Sequence, residues 1–338
     1  MSPLAAALML LTVSAATTVA RLPVDAPSPL LDGDEYNRRL QSPIAADDLR
    51  RFVEASGRRL AAEEFAGGEV DAWIPPAEPD AGFGLLLFVL PDDSVALPPE
   101  WKRPLAERGI LLLVVRGAGN HVELFPRRIP RILDAYSYAK ARWRIDPART
   151  WIGGFSGGAR VAQRVAMAWP DEFTGTLQFA GSVIVGSARL APPPPELARQ
   201  LQQRTRFVFV SGQQDPRNRG NDGRARASMQ ALCFADVIVR SPARLDHWVP
   251  NARELAKALD ALAAPVRPDP DCAARLDAEI AAALDAAEAR FAAGDVAAAR
   301  TALVAIDDRW GGLAAPRSVE LARRMLPALR AQDTAPAE

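Results

Sequence analysis

Residues 149–173 read RTWIGGFSGGARVAQRVAMAWPDEF. Apolar residues run up to Phe155, a single serine sits among four glycines, and an alanine- and valine-rich amphipathic stretch follows as far as Trp169-Pro170. Gly154-Phe155-Ser156-Gly157-Gly158 fits the pattern G-x-S-x-G. That spacing has a steric reason. Where a strand turns sharply into a helix, the residues two before and two after the serine pass so close that side chains there would collide. The turn lifts the hydroxyl to its tip, and the start of the helix points its positive end at it. A chain with such an element is constrained to place a buried strand in a sheet that helices cover.

The rest of the chain supplies that sheet. GLLLFVLP (84–91) and ILLLVVRG (110–117) are almost unbroken apolar runs, as expected of strands buried on both faces. PPEWKRPLAERG (98–109) between them suits a crossover helix, and IPRILDAYSYAKARW (129–143) has apolar residues at helical spacing. GTLQFAGS (175–182), RFVFVSG (206–212) and ADVIVR (235–240) are further strand candidates. Gly67-Gly68 divides two extended segments, a hairpin signal, and AADDLRRFVEAS (45–56) suits a short helix. The alternation predicts an α/β fold, a doubly wound and mostly parallel sheet, over about residues 44–264. Residues 21–43 are proline-rich and polar and read as an N-terminal arm. PVRPDPD (265–271) is a linker. Beyond it, Leu276, Ile280, Leu284, Ala287 and Phe291 share one helical face, Gly294-Asp295 marks a turn, and Pro316 opens a third helix. Residues 265–338 are thus expected to form a helical hairpin-like appendage with a frayed tail. It resembles one unit of a tetratricopeptide-type repeat, without the copies a solenoid needs. A packed cap is favoured over a partner-binding module.

An activated serine needs a base, and the 338 residues contain only two histidines, His121 and His247. In a strand–serine–helix elbow fold the order along the chain is serine, acid, histidine, and only His247 follows Ser156. His121 is read as a loop residue lining the cleft. RFVFVSGQQDPRNRGND (206–222) supplies Asp215 after a strand end, with Asp222 as the alternative acid. The role of the acid is to fix the imidazole tautomer and stabilise the imidazolium. An oxyanion needs two backbone donors. One is expected at Gly157, the other at Asp93 or Ser94 in LPDDSVALPPEW (90–101). Trp101, Phe125 and Trp248 are candidate cleft residues, each also readable as packing.

With these motifs in place, the chain resembles α/β-hydrolase serine esterases related to the polyhydroxybutyrate depolymerase and feruloyl esterase families. FVLPDDS, RILDAYSYAKARWRIDPARTWIGGFSGGARVAQRVAMAWPDEFTG, VSGQQDPRN and DHWVP carry the resemblance, which covers about residues 80–260. It departs from those families at Asp246, where a glycine usually precedes the histidine, and in its arginine- and asparagine-rich acid loop. The resemblance implies serine-dependent hydrolysis of a small-molecule or polymeric ester, with no cofactor and no metal. Two readings compete: a non-catalytic exported binding protein on the same shell, and acyl transfer using the same triad.

Charge and cysteine content set the remaining bounds. Forty-one basic and 41 acidic residues cancel, which gives no electrostatic reason to expect nucleic acid or an anionic membrane surface. Leu4–Val13 form an apolar run followed by small residues to Ala20. This is a signal-peptide pattern over residues 1–20, cleaved after Ala16 or Ala20, and it predicts a periplasmic or secreted protein with no stable membrane span after removal. Cys233 and Cys272 are too far apart and too few for a metal site. They form either one disulfide or two buried thiols. The sequence points to no protein partner for the C-terminal helices.

Overall fold

The computed structural model describes residues 17–57, 65 and 67–333. Strand β1 (Thr18–Val24) is followed by helices α1 (Gly33–Leu40) and α2 (Pro43–Ser56), then by β2 (Gly68–Ile74) and β3 (Phe83–Val89). Helix α3 (Lys102–Ala106), β4 (Ile110–Val115), α4 (Ile129–Arg142), β5 (Ile145–Phe155) and α5 (Gly157–Ala168) complete the first half. The second half alternates β6 (Gly175–Phe179), α6 (Pro195–Gln203), β7 (Arg206–Val210), α7 (Pro216–Ala231), β8 (Asp236–Arg240) and α8 (Ala252–Ala263). Three helices close the chain: α9 (Pro270–Ala292), α10 (Val296–Trp310) and α11 (Arg317–Asp333).

The eight strands form one sheet in the order β1-β2-β4-β3-β5-β6-β7-β8. β2 runs antiparallel to both β1 and β4, and every pairing from β4 through β8 is parallel. This is the α/β-hydrolase topology, as the expected doubly wound sheet requires. Successive residues of the central strands point to opposite faces. Leu85, Leu87, Leu111 and Leu113 therefore pack on one face with Ile132, Leu133, Val161 and Val165 of α4 and α5. Leu86, Phe88, Leu112 and Val114 pack on the other with Leu105, Leu255 and Leu259 of α3 and α8. Burial on both faces is why these strands read as continuous apolar runs.

The N-terminal arm is more structured than its composition suggests. Thr18 through Val24 pair with Ile74 through Gly68, so residues 18–24 are the edge strand of the sheet and α1 follows within the same segment. Pro23 is compatible with this because an edge strand tolerates a proline that donates nothing to the ladder. The expected hairpin at Gly67-Gly68 resolves differently. β2 starts at Gly68 and pairs with β1 and β4, while residues 58–64 and 66 lie outside the described residues. The apolar run of the predicted leader, residues 4–13, lies outside them too. No described helix is long and apolar enough to cross a membrane.

The C-terminal helices fold as a hairpin plus one helix, turning at Gly294 with Asp295 capping α10. Leu276, Ile280, Leu303, Ile306, Trp310 and Leu321 share a core with Leu201 of α6, Met229 of α7 and Phe207 of β7. The layer is tied to α2 as well. Arg323 pairs with Asp47 and holds its carboxyl well below the usual range, and Ser42 donates to Asp307. Cys233 and Cys272 form a disulfide that joins the end of α7 to the first turn of α9.

Candidate active site

Ser156 stands between β5 and α5 with φ 51° and ψ −115°, a conformation that side chains other than glycine rarely adopt. Its N–H donates to the Phe179 carbonyl at 2.8 Å, which pins the turn to the end of β6. A Cβ at Gly154 would lie 2.6 Å from both the Val89 carbonyl oxygen and the Gly158 carbonyl carbon. A Cβ at Gly158 would run into the Val89 carbonyl. The two glycines of the motif are therefore required by the approach of β3 to the turn. A serine at a helix N-cap normally bonds back to the helix. Here it makes no such bond, and its hydroxyl faces His247 instead.

His247 Nε2 lies 3.1 Å from Ser156 Oγ, and His247 Nδ1 lies 2.7 Å from Asp215 Oδ2. An ionised carboxylate only accepts, so Nδ1 carries the proton and Nε2 is left as the acceptor facing the serine. The histidine loop is held from three directions. Gln213 and Gln214 donate through their backbone N–H groups to Pro242 and Leu245 at 3.0 Å each. The Trp101 indole donates to the Pro250 carbonyl at 2.7 Å. The Phe155 ring packs 5.2 Å from His247 and 5.5 Å from Trp248.

Asp215 is the N-cap of α7, with Pro216 in the first turn. Its Oδ1 accepts from the Asn218 backbone N–H at 3.2 Å, and its Oδ2 accepts from the Asn218 side chain at 2.7 Å. The Asp-Pro pair of the acid loop is thus a helix start, in which proline gives up a hydrogen bond that the first turn never makes. Burial pushes the Asp215 carboxyl up. The bonds from His247 and from both Asn218 donors outweigh it and hold the group below its ordinary value. The alternative acid, Asp222, lies two turns into α7 and accepts from Ser182 at 2.7 Å. Burial pushes it up to about 6. It is not bonded to His247.

The loop after β3 separates the two oxyanion candidates. Ser94 N–H donates to the Asp92 carboxylate at 2.8 Å and is already committed. Asp93 accepts from Gly117 N–H through its carboxylate at 2.9 and 3.1 Å, while its own N–H has no partner among the described residues. Gly157 N–H opens α5, where the first turn leaves donors unpaired. Asn120, which sequence reasoning did not single out, lies over this point: a Cβ at Gly157 would collide with its amide. His121 is exposed and makes no hydrogen bond to Ser156 or Asp215 among the described residues. Trp101 is not in the cleft but fully buried, because its ring fills the core between Phe88 and Phe179. Phe125 and Trp248 are exposed, at 44% and 45%. Asn218 was also missed, although Asp-Pro-x-Asn before a polar run carries a helix-start signature.

No family model matches the chain, and no curated protein matches it. Solved structures do. An S-formylglutathione hydrolase from Agrobacterium tumefaciens is 15% identical, covering 60% of this chain and 93% of its own, with a TM-score of 0.43. The S-formylglutathione hydrolase FrmB from Staphylococcus aureus is 11% identical, covering 73% and 100%, with a TM-score of 0.46. Est1E from Butyrivibrio proteoclasticus is 12% identical, covering 57% and 92%, with a TM-score of 0.41.

Proposed function

We propose that this chain is a serine hydrolase that cleaves carboxylic esters through an acyl-enzyme. Ser156 attacks the ester carbonyl while His247 Nε2 takes its proton, and the alkoxide of the tetrahedral intermediate is held by the N–H groups of Gly157 and Asp93. Collapse expels the alcohol, which leaves with the proton from His247. Water then repeats the sequence on the acyl-serine and releases the acid. Asp215 keeps Nδ1 protonated and stabilises the imidazolium in both halves. The observation that carries this reading is the continuous chain Ser156 Oγ, His247, Asp215, with 3.1 Å and 2.7 Å links and the correct tautomer enforced by the acid.

The resemblance of residues 80–260 to polyhydroxybutyrate depolymerases and feruloyl esterases supports carboxylic esters as the substrate class. Release of 4-nitrophenol from short acyl esters tests the activity directly. It is expected from the unmodified protein and not from Ser156→Ala. Folded protein that releases none from any chain length would refute it.

Export belongs to the same proposal. Its support is the apolar run before Ala16 and a disulfide that needs an oxidising compartment. Cleavage after Ala16 leaves β1 whole, whereas cleavage after Ala20 would remove three residues paired with β2. N-terminal sequencing of the mature chain is expected to begin at Thr17. A start at Arg21 would contradict the choice of site, and a retained Met1 would contradict export.

A further inference from the structure

Helix α5 is buried on every side except along one stripe. Gly157, Arg160 and Arg164 are its only residues that are not buried. With Ser156 at the cap, the serine and the two arginines fall four residues apart and share a face. They climb the helix by about 6 and about 12 Å. Side chains on a helix lean toward its N-terminus, so Arg160 lies over the turn that carries Ser156. Its contacts agree. Arg160 Nη2 donates to Asn218 Oδ1 at 3.1 Å, and Asn218 Nδ2 is 3.1 Å from His247 Nδ1.

Neither arginine has a carboxylate ion-pair partner among the described residues; their hydrogen bonds go to the Asn218 amide oxygen and the Arg189 carbonyl. Arg160 also meets the charge of Asp222, a buried carboxyl pushed up to about 6 and bonded to Ser182, so above that pH Arg160 is partly matched and Arg164 is not. Arg164 donates to the Arg189 carbonyl at 2.5 Å and sits 5.6 Å over the Phe125 ring, and burial lowers its basicity. An unpaired cation withdrawn from water is costly unless something completes it. Arg164 is such a cation, and Arg160 stands between it and the nucleophile on the same face, so the stripe suits a negatively charged ligand. Apolar surface flanks them. Phe125 is exposed beneath Arg164, and Ile184 is 42% exposed on a loop that Gln163 of α5 holds through Val183.

We propose that the ester cleaved at Ser156 carries an anionic group, a carboxylate or a phosphate, which Arg160 and Arg164 bind along α5. This rests on the serine-hydrolase reading. Turnover of 4-nitrophenyl butyrate tests that reading separately. Two matched pairs test the inference. 4-Nitrophenyl hydrogen glutarate against 4-nitrophenyl butyrate puts the anion in the acyl part. 1-Butyrylglycerol 3-phosphate against 1-butyrylglycerol puts it in the alcohol. The ratio of kcat/KM, anionic over neutral, is expected to exceed one in at least one pair. It should fall about tenfold or more in Arg164→Gln, the loss of a charged hydrogen bond, and drop below one in Arg164→Glu. Added salt should raise KM for the anionic ester only, a readout that needs no variant. Turnover of the neutral esters with a ratio at or below one in both pairs would overturn the inference and leave the hydrolase standing. Equal losses on neutral and anionic esters in Arg160→Gln and Arg164→Gln would overturn it as well, because Arg160 would then act through Asn218 on His247 and Arg164 through packing around α5.

Discussion

The hydrogen-bonded Ser156, His247 and Asp215 and the C-terminal helices are held in place by different means. Around Ser156 the constraint is in the backbone: a positive φ, two glycines against the Val89 carbonyl, a strand-end bond to Phe179 and a helix cap at Asp215. Around α9 to α11 it is in side chains: a shared apolar core, the Asp47–Arg323 and Glu288–Arg317 pairs and one disulfide. Backbone constraints fail abruptly, since a colliding Cβ has nowhere to go. Side-chain constraints fail gradually, since apolar contacts are many and individually small. Changes at the first region should abolish activity in a folded protein, and changes at the second should lower stability while the folded fraction keeps its activity.

The largest expected effect is at the base. His247→Ala should reduce ester turnover about ten-thousand-fold or more with little change in melting temperature, because the imidazole is half exposed, at 48%. Unimpaired turnover in steady-state assays would place the base elsewhere. The acid comes next. Asp215→Asn should cost about a thousandfold or more in kcat, and Asp222→Asn should leave turnover within a few-fold. The opposite ranking would move the acid role to Asp222.

In the C-terminal layer the disulfide is the constraint most easily removed. Its partners are 39 residues apart, and closing such a loop stabilises by roughly 3–4 kcal/mol in the chain-entropy model. Cys272→Ser should lower the denaturant midpoint accordingly and leave kcat of the folded protein near its original value. Lost kcat at temperatures where the variant is still folded would show that the appendage supports the site.

Much of this was legible in the sequence where local rules decide. The elbow glycines, the order serine–acid–histidine and the buried strands each follow from a short window. His247 could be chosen because only two histidines exist and one precedes Ser156, while the segment after β7 offers both Asp215 and Asp222 as the acid. What stayed hidden depends on pairing across the chain. β1 reads as a polar, proline-bearing arm until β2 is beside it. Trp101 reads as a cleft residue or as packing until β3 and β6 close over it. What sets Ser94 apart from Asp93 is one bond that its backbone N–H donates to the Asp92 carboxylate. The Arg160–Arg164 stripe appears only when the rest of α5 is seen to be buried.

The smallest effect concerns pH. The folded-state value of Asp222, about 6, lies above its unfolded value. Its contribution to stability is therefore complete below about pH 4 and lost as the pH rises through about 6, when a buried carboxylate must ionise. Asp222→Asn keeps an acceptor for Ser182 and should add about 2–3 kcal/mol to the unfolding free energy near pH 8, and none near pH 4. An equal gain at both values in urea titrations would mean that packing, not charge, sets its effect. Asp215 has the opposite sign: its value is depressed, so its contribution is lost as the pH falls through it.

Covalent labelling of the folded protein by a fluorophosphonate probe reads out whether the elbow presents an activated serine. The probe needs only a deprotonatable hydroxyl and an oxyanion site, so the natural ester need not be known. One adduct is expected, mapped by mass spectrometry to Ser156, absent in Ser156→Ala and strongly slowed in His247→Ala. A folded protein that takes up no probe, or takes it up at another residue, would contradict it and favour a binding protein on a hydrolase shell.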